Sequence, residues 1–129
     1  MTMQILAALF IDDISMRHTP DSLTRLDLSG VQFTTKVSED FPLELSPHLV
    51  VLVHSESEGT GVGVLEVTYH LGDSQIARNV QPLEIEPGLF AYRLIRAELE
   101  LTEPCKVFAH CRIDKGEPVV VPYAIEASP

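Results

Sequence analysis

Three of the five histidines stand where they could act together in acid–base or metal chemistry. His54, His70 and His110 lie near or within segments predicted to be strands, and alternation places His70 and His110 on polar faces. If those strands were neighbours, the imidazoles and a carboxylate such as Glu66 or Glu98 could converge on a divalent metal ion. The spacing matches no known metal-binding motif. We therefore predict solvent-facing histidines, no bound metal and no cofactor.

The two cysteines, Cys105 and Cys111, are predicted to be reduced core thiols. On one extended strand they would be roughly 20 Å apart, well beyond disulfide reach. His110 cannot serve as the base for Cys111, because neighbours on a strand point to opposite faces. No G-x-S-x-G segment is present, so the sequence offers no assembled nucleophile.

Charge and hydropathy exclude further classes of function. Nine basic residues against nineteen acidic ones give a net charge of −10, which argues against binding nucleic-acid phosphates. The apolar run Ile5–Ile11 has no basic residue before it and is far shorter than the ~20 residues that span a bilayer. We expect a soluble cytoplasmic protein that contacts neither nucleic acid nor membrane.

Three aromatic side chains fall outside the predicted apolar faces. Phe90 and Tyr92 lie on the opposite face from Ala91 and Ile95. Phe108 interrupts the polar face of a later strand. If these strands pair as a hairpin, the three rings could form one apolar patch, and such patches often mark partner contacts. The alternative is that they cover one end of the core beneath a loop.

The elements that must position these residues are predicted to be strands. A period of two is clearest over 63–71, 95–101 and 105–113, and further strands are expected over 3–11, 25–35, 48–54, 82–85 and 119–126. Apolar parity changes at Gly30, which predicts a bulge there. Seven to nine strands separated by turns, without helical periodicity, indicate an all-β protein: a single antiparallel β-sandwich domain over residues 1–129, immunoglobulin-like or Greek-key.

The chain also resembles an uncharacterised bacterial β-sandwich family, a domain of unknown function. The resemblance lies in the opening strand MQILAALFIDD, the return TRLDLSGVQF, and the closing segments EPGLFAYRLI and CRIDKGEPVVVPYAI. It covers most of the chain in outline. It implies a sandwich without known activity and supplies no catalytic residues.

These observations favour a non-enzymatic binding or assembly module. Such a module would contact a protein partner, or a second copy of itself, through a strand edge or an outer sheet face. The alternative is a metal-dependent enzyme whose ligands would be the three strand histidines with one of Glu66, Glu98 or Glu100. A β-barrel carrying a small ligand is a further alternative, for which the predicted inward side chains leave little room.

Overall fold

The computed structural model describes residues Met3–Pro129, and in that part of the chain every regular element is a β-strand. The strands are β1 (Met3–Ile11), β2 (Asp13–His18), β3 (Thr24–Ser29), β4 (Thr34–Val37), β5 (Leu43–Leu45), β6 (His48–Ser55), β7 (Val62–Leu71), β8 (Ser74–Glu84), β9 (Phe90–Arg96), β10 (Leu99–Leu101), β11 (Cys105–Ile113) and β12 (Val119–Ala127). The predicted all-β class is confirmed. Between Met3 and Pro129 there is no helix with the length and apolarity needed to cross a membrane.

The strands form four sheets rather than one continuous surface. The largest has five strands in the order β4-β12-β11-β7-β8, and the next has three in the order β1-β6-β9. Two short pairs, β2 with β3 and β5 with β10, complete the set. Neighbouring strands are antiparallel throughout these sheets except for β4, which runs parallel to β12.

The predicted alternation of burial is confirmed where the pattern was clearest. Leu65, Val67 and Tyr69 on β7 are at most 1% exposed, whereas the residues between them are partly exposed. On β11 the same rule buries Val107, Ala109, Cys111 and Ile113. Burial of one side chain in two along a strand is the expected result when one face of a sheet meets a core.

A single cluster of buried side chains connects the two larger sheets. It includes Phe10 from β1 and Val51 from β6 in the three-stranded sheet, together with Val67 from β7 and Val107 from β11 in the five-stranded sheet. Apolar side chains from both sheets are therefore removed from water in one shared core. Their burial favours folding by about 25 cal/mol for each Å² of apolar surface.

The predicted strand 25–35 is interrupted, and in place of the expected bulge Gly30 is a turn residue directly after the end of β3. Gly30 has φ +67°, a left-handed conformation that side chains other than glycine rarely adopt. A Cβ atom at Gly30 would also collide with the Asp12 side chain. The turn allows the Gln32 N–H to donate to the Phe10 carbonyl at 2.8 Å, so the chain leaves the β2–β3 pair and returns to β1.

The predicted strand 95–101 is likewise divided, although its inward residues were identified correctly. Ile95, Leu99 and Leu101 are all buried, but β9 ends at Arg96 and β10 begins at Leu99. Between them the Ala97 N–H donates to the Pro47 carbonyl at 3.0 Å, and β10 then pairs with β5 instead of β6. Two short strands in different sheets can keep the same burial parity because both face one core.

Leu99→Ala tests the shared core. Leu99 is fully buried, so its truncation is expected to lower the free energy of unfolding by about 2–5 kcal/mol in a urea titration. The same substitution at Leu6, which is 55% exposed, provides the control and is expected to change stability by less than about 0.5 kcal/mol. Equal effects at the two positions would contradict the assignment of Leu99 to the core.

Candidate functional site: a groove beside strand β9

The three-stranded sheet carries a second apolar layer on the face turned away from the core. Val50 is only 1% exposed although its side chain points opposite to those of Leu49 and Val51. Ile11 at the end of β1 is also buried, and neither residue belongs to the core cluster. We infer that the β2–β3 hairpin covers this face, because its partly buried residues Ile14 and Leu28 are paired directly opposite each other.

Next to this layer lies a cavity of about 480 Å³, which we call the β9 groove. It lies between the β2–β3 hairpin and β9 and is lined by Met16, Thr24, Leu26, Leu89, Phe90, Ala91, Tyr92 and Arg93. Most of these side chains are apolar, and Met16, Leu89 and Phe90 are each about half exposed. The volume lies within the range of ~300–1,000 Å³ that is typical of ligand pockets.

The backbone of β9 contributes to the groove as well as its side chains. Within the described residues β9 pairs only with β6, so its other edge is open. An open edge presents N–H and C=O groups that can pair with an added strand. The Arg93 side chain reaches back along the edge, where its Nη1 donates to the Tyr92 carbonyl at 3.0 Å. Arg93 therefore occupies this acceptor in the free protein.

The structure separates the three aromatic residues that the sequence suggested as one patch. Phe90 and Tyr92 lie on β9 and line the groove, whereas Phe108 lies on β11 in the five-stranded sheet, directly opposite His70 and Pro122. The hairpin assumed between the two strands does not form, because β11 pairs with β7 and β12 while β9 pairs with β6.

Two of the three strand histidines are brought together. His110 lies opposite Thr68 and His70 opposite Phe108, which makes the two imidazoles diagonal neighbours on the outer face of the five-stranded sheet. Their ring centroids are 4.4 Å apart with the planes tilted by 57°. Partial burial and, to a lesser degree, the neighbouring His70 lower the pKa of His110. His54 lies on β6 in the three-stranded sheet, between Gln4 and Phe90.

Glu66 is held by two arginines and not by the histidines. Its Oε1 accepts from Arg112 Nε at 2.6 Å and its Oε2 from Arg78 Nε at 2.9 Å. These hydrogen bonds, that from Arg112 foremost, lower the pKa of the Glu66 carboxyl despite some desolvation. The Glu66 side chain is only 17% exposed, whereas the side chains of Arg78 and Arg112 are 56% and 41% exposed.

The four weak metal candidates thus do not converge. From Met3 to Pro129, no three side chains of the His, Cys, Asp and Glu types lie where they could hold one ion. Glu98 and Glu100 line a different cavity, together with Glu44 and Ile76. Both cysteines are free thiols, and burial raises the pKa of Cys111 to about 12.

Sequence reasoning predicted a strand that includes Leu26 but missed its partner strand β2, and it assigned neither strand to a site. Met16 and Leu26 lie opposite each other in the β2–β3 pair, and both line the groove. Their signal was present as a short alternation, since Ile14 and Met16 are followed after a turn by Leu26 and Leu28. On the β2 side the alternation has only two apolar positions, Ile14 and Met16, which are too few to establish a period.

No protein-family model matches this chain, and no curated protein matches it.

Glu66→Gln is expected to destabilise the protein at neutral pH and to matter less in acid. A carboxyl whose pKa is lowered by folding stabilises the folded state above its ordinary pKa, and this contribution is lost as the pH falls through the folded value. Urea unfolding of both proteins at neutral pH and at about pH 3 measures the change. Glu84→Gln is the control, because Glu84 forms no ion pair in the described part of the chain. A pH-independent difference would contradict the assignment.

The His110 imidazole is expected to titrate below the ordinary histidine pKa of about 6.5. Its imidazole resonances in NMR spectra, followed against pH, report this value. His70→Asn should raise the pKa of His110 only part of the way, since burial, the larger cause, remains. Because the pKa of His110 is lower in the folded protein, on acidification this imidazole is protonated at a higher pH in the unfolded chain than in the folded one. The contribution of His110 to stability therefore decreases as the pH falls below about 6.5. A pKa of His110 that His70→Asn leaves unchanged would contradict the coupling.

Proposed function

We propose that this protein is a non-enzymatic protein-binding module whose β9 groove accepts an extended segment of a partner. The observation that carries the proposal is the open edge of β9 beside an apolar cavity. A strand added at such an edge gains main-chain hydrogen bonds, and every second side chain can enter the groove. Phe90 and Tyr92 are the aromatic anchors of this surface.

The favoured partner is a different, basic protein rather than a second copy of this chain. Each copy carries a net charge of −10, so two copies repel each other at long range. The same charge accelerates encounter with a cationic segment and disfavours acidic competitors. The segment we expect is extended, apolar at alternate positions, and carries lysine or arginine at the positions between them.

The side chains that could take part in catalysis are paired with other residues, buried, or far from one another. This favours a binding module over the metal-dependent enzyme. Glu66 is paired with Arg78 and Arg112, and Cys111 lies in the core with a raised pKa. His54 is in a different sheet from His70 and His110. We also propose the cytoplasm as the compartment, since two free thiols suit a reducing environment.

For the fold we infer that the three-stranded and five-stranded sheets are the two layers of an antiparallel β-sandwich. The support is the single cluster of buried side chains to which both sheets contribute. An immunoglobulin-like or Greek-key topology, one domain over residues 1–129 and kinship with the uncharacterised bacterial β-sandwich family stay predictions.

Selection from a display library of random decapeptides on the purified protein tests the groove. We expect enriched peptides that alternate apolar and polar residues and carry basic ones. Phe90→Asp is expected to weaken the binding of these peptides at least about tenfold, because it places a charge where an apolar side chain would be desolvated. Fluorescence anisotropy with the labelled peptides measures the affinities.

Val120→Asp is the matched control. Val120 is 46% exposed and Phe90 50%, but Val120 lies on β12 in the five-stranded sheet, away from the groove. Peptide binding that is equally sensitive to both substitutions, or insensitive to Phe90→Asp, would contradict the proposal. Concentration-dependent dimerisation in light scattering that Phe90→Asp abolishes would identify a second copy as the occupant instead.

A further inference from the structure

We propose that His70 and His110 are the two protein ligands of a transition-metal site that binds Zn²⁺ on the outer face of the five-stranded sheet. This site lies on a different sheet from the β9 groove, so the inference is independent of the proposed function. Water molecules would complete the coordination, because the described chain contributes no third metal-binding side chain there.

The first argument is the geometry that two paired strands impose. β7 and β11 are antiparallel neighbours in the middle of the sheet, and their register makes His70 and His110 diagonal neighbours on one face. The ring centroids are 4.4 Å apart, and the 57° tilt shows that the rings are not stacked face to face. Two imidazoles at this separation can direct one nitrogen each to an ion about 2.0–2.1 Å away.

The second argument is the hydrogen bond that orients His70. Its Nε2 lies 2.8 Å from Thr68 Oγ1, two residues earlier on the same face of β7. In the tautomer in which Nε2–H donates to this oxygen, the lone pair of Nδ1 is free for a metal. Such a bond from the second ring nitrogen accompanies nearly all metal-bound histidines, since it fixes both the tautomer and the ring orientation.

The charged side chains that flank the pair, Arg78, Arg112 and Glu66, sum to one positive charge, so the imidazole nitrogens and not the local charge must hold the metal ion. Arg112 lies two residues beyond His110 on the same face, and Arg78 lies opposite Thr68. Glu66 pairs with both guanidinium groups and offsets one of the two positive charges. The net charge of −10 on the whole chain attracts cations at longer range.

The ligand type decides which metals are expected. Neutral imidazole nitrogens suit Zn²⁺, Cu²⁺ and Ni²⁺, whereas Mg²⁺ and Ca²⁺ require oxygen ligands. Glu66 lies on the same face of β7 as His70, but its carboxylate accepts hydrogen bonds from two arginines and is not free to coordinate the metal ion.

Isothermal titration calorimetry with zinc chloride and the full chain tests the site. The wild type is expected to bind one Zn²⁺ ion, and magnesium chloride to give no binding. Thr68→Val is expected to weaken zinc affinity about 10–100-fold through loss of the orienting hydrogen bond. His70→Ala and His110→Ala, which each remove a ligand, should weaken it at least as much.

His54→Ala is the matched control, since His54 is also a partly buried strand histidine but lies in the three-stranded sheet. It is expected to bind zinc like the wild type. NMR spectra of the wild type should show zinc-induced changes in the His70 and His110 imidazole resonances, which keeps the test independent of any folding defect in the variants. Absence of zinc binding, or binding that survives both His70→Ala and His110→Ala, would overturn the site. Normal affinity in Thr68→Val would overturn the orienting role of Thr68.

Discussion

The structure depends on the burial of apolar side chains from two sheets in one core. The three-stranded sheet contributes residues such as Phe10 and Val51, and the five-stranded sheet contributes Val67 and Val107. Since each strand turns every second side chain inward, the opposite face of each sheet is left free for another role. The β9 groove and the two neighbouring histidines lie on those outer faces or at a strand edge.

The two outer faces are used differently. On the three-stranded sheet, Val50 and Ile11 are buried beneath a second layer, which we assign to the β2–β3 hairpin, and the β9 groove lies where the hairpin meets β9. On the five-stranded sheet, the outer face carries the Glu66 ion pairs and the two neighbouring histidines. An apolar groove suits a protein segment, whereas paired imidazoles suit a metal ion, so each face has its own chemistry.

Prediction from the sequence succeeded where alternation ran for many residues and failed where it was brief. The strand over 105–113 has the predicted bounds, because a long amphipathic run buries one face whatever its neighbours are. The strand over 3–11 also has the predicted bounds, although it was predicted from an apolar run and not from alternation. Strands β2 and β5 were missed, since each offers too few apolar residues to establish a period. The break at Gly30 was detected as a change of apolar parity. The direction in which the chain continues after Gly30 depends on the left-handed turn and the contact with Asp12.

The sequence by itself determined that the chain is built of strands, which side of β7 and of β11 is buried, and that Cys111 lies inside, because these properties follow from local periodicity. Only the tertiary structure decided which strands are neighbours. Strand pairing is set by contacts between residues far apart in the chain, which no local pattern encodes. That pairing brought His70 to His110, and it separated Phe108 from Tyr92 and His54 from the other histidines. The packing of the β2–β3 pair beside β9 placed Met16 and Phe90 in the lining of one groove.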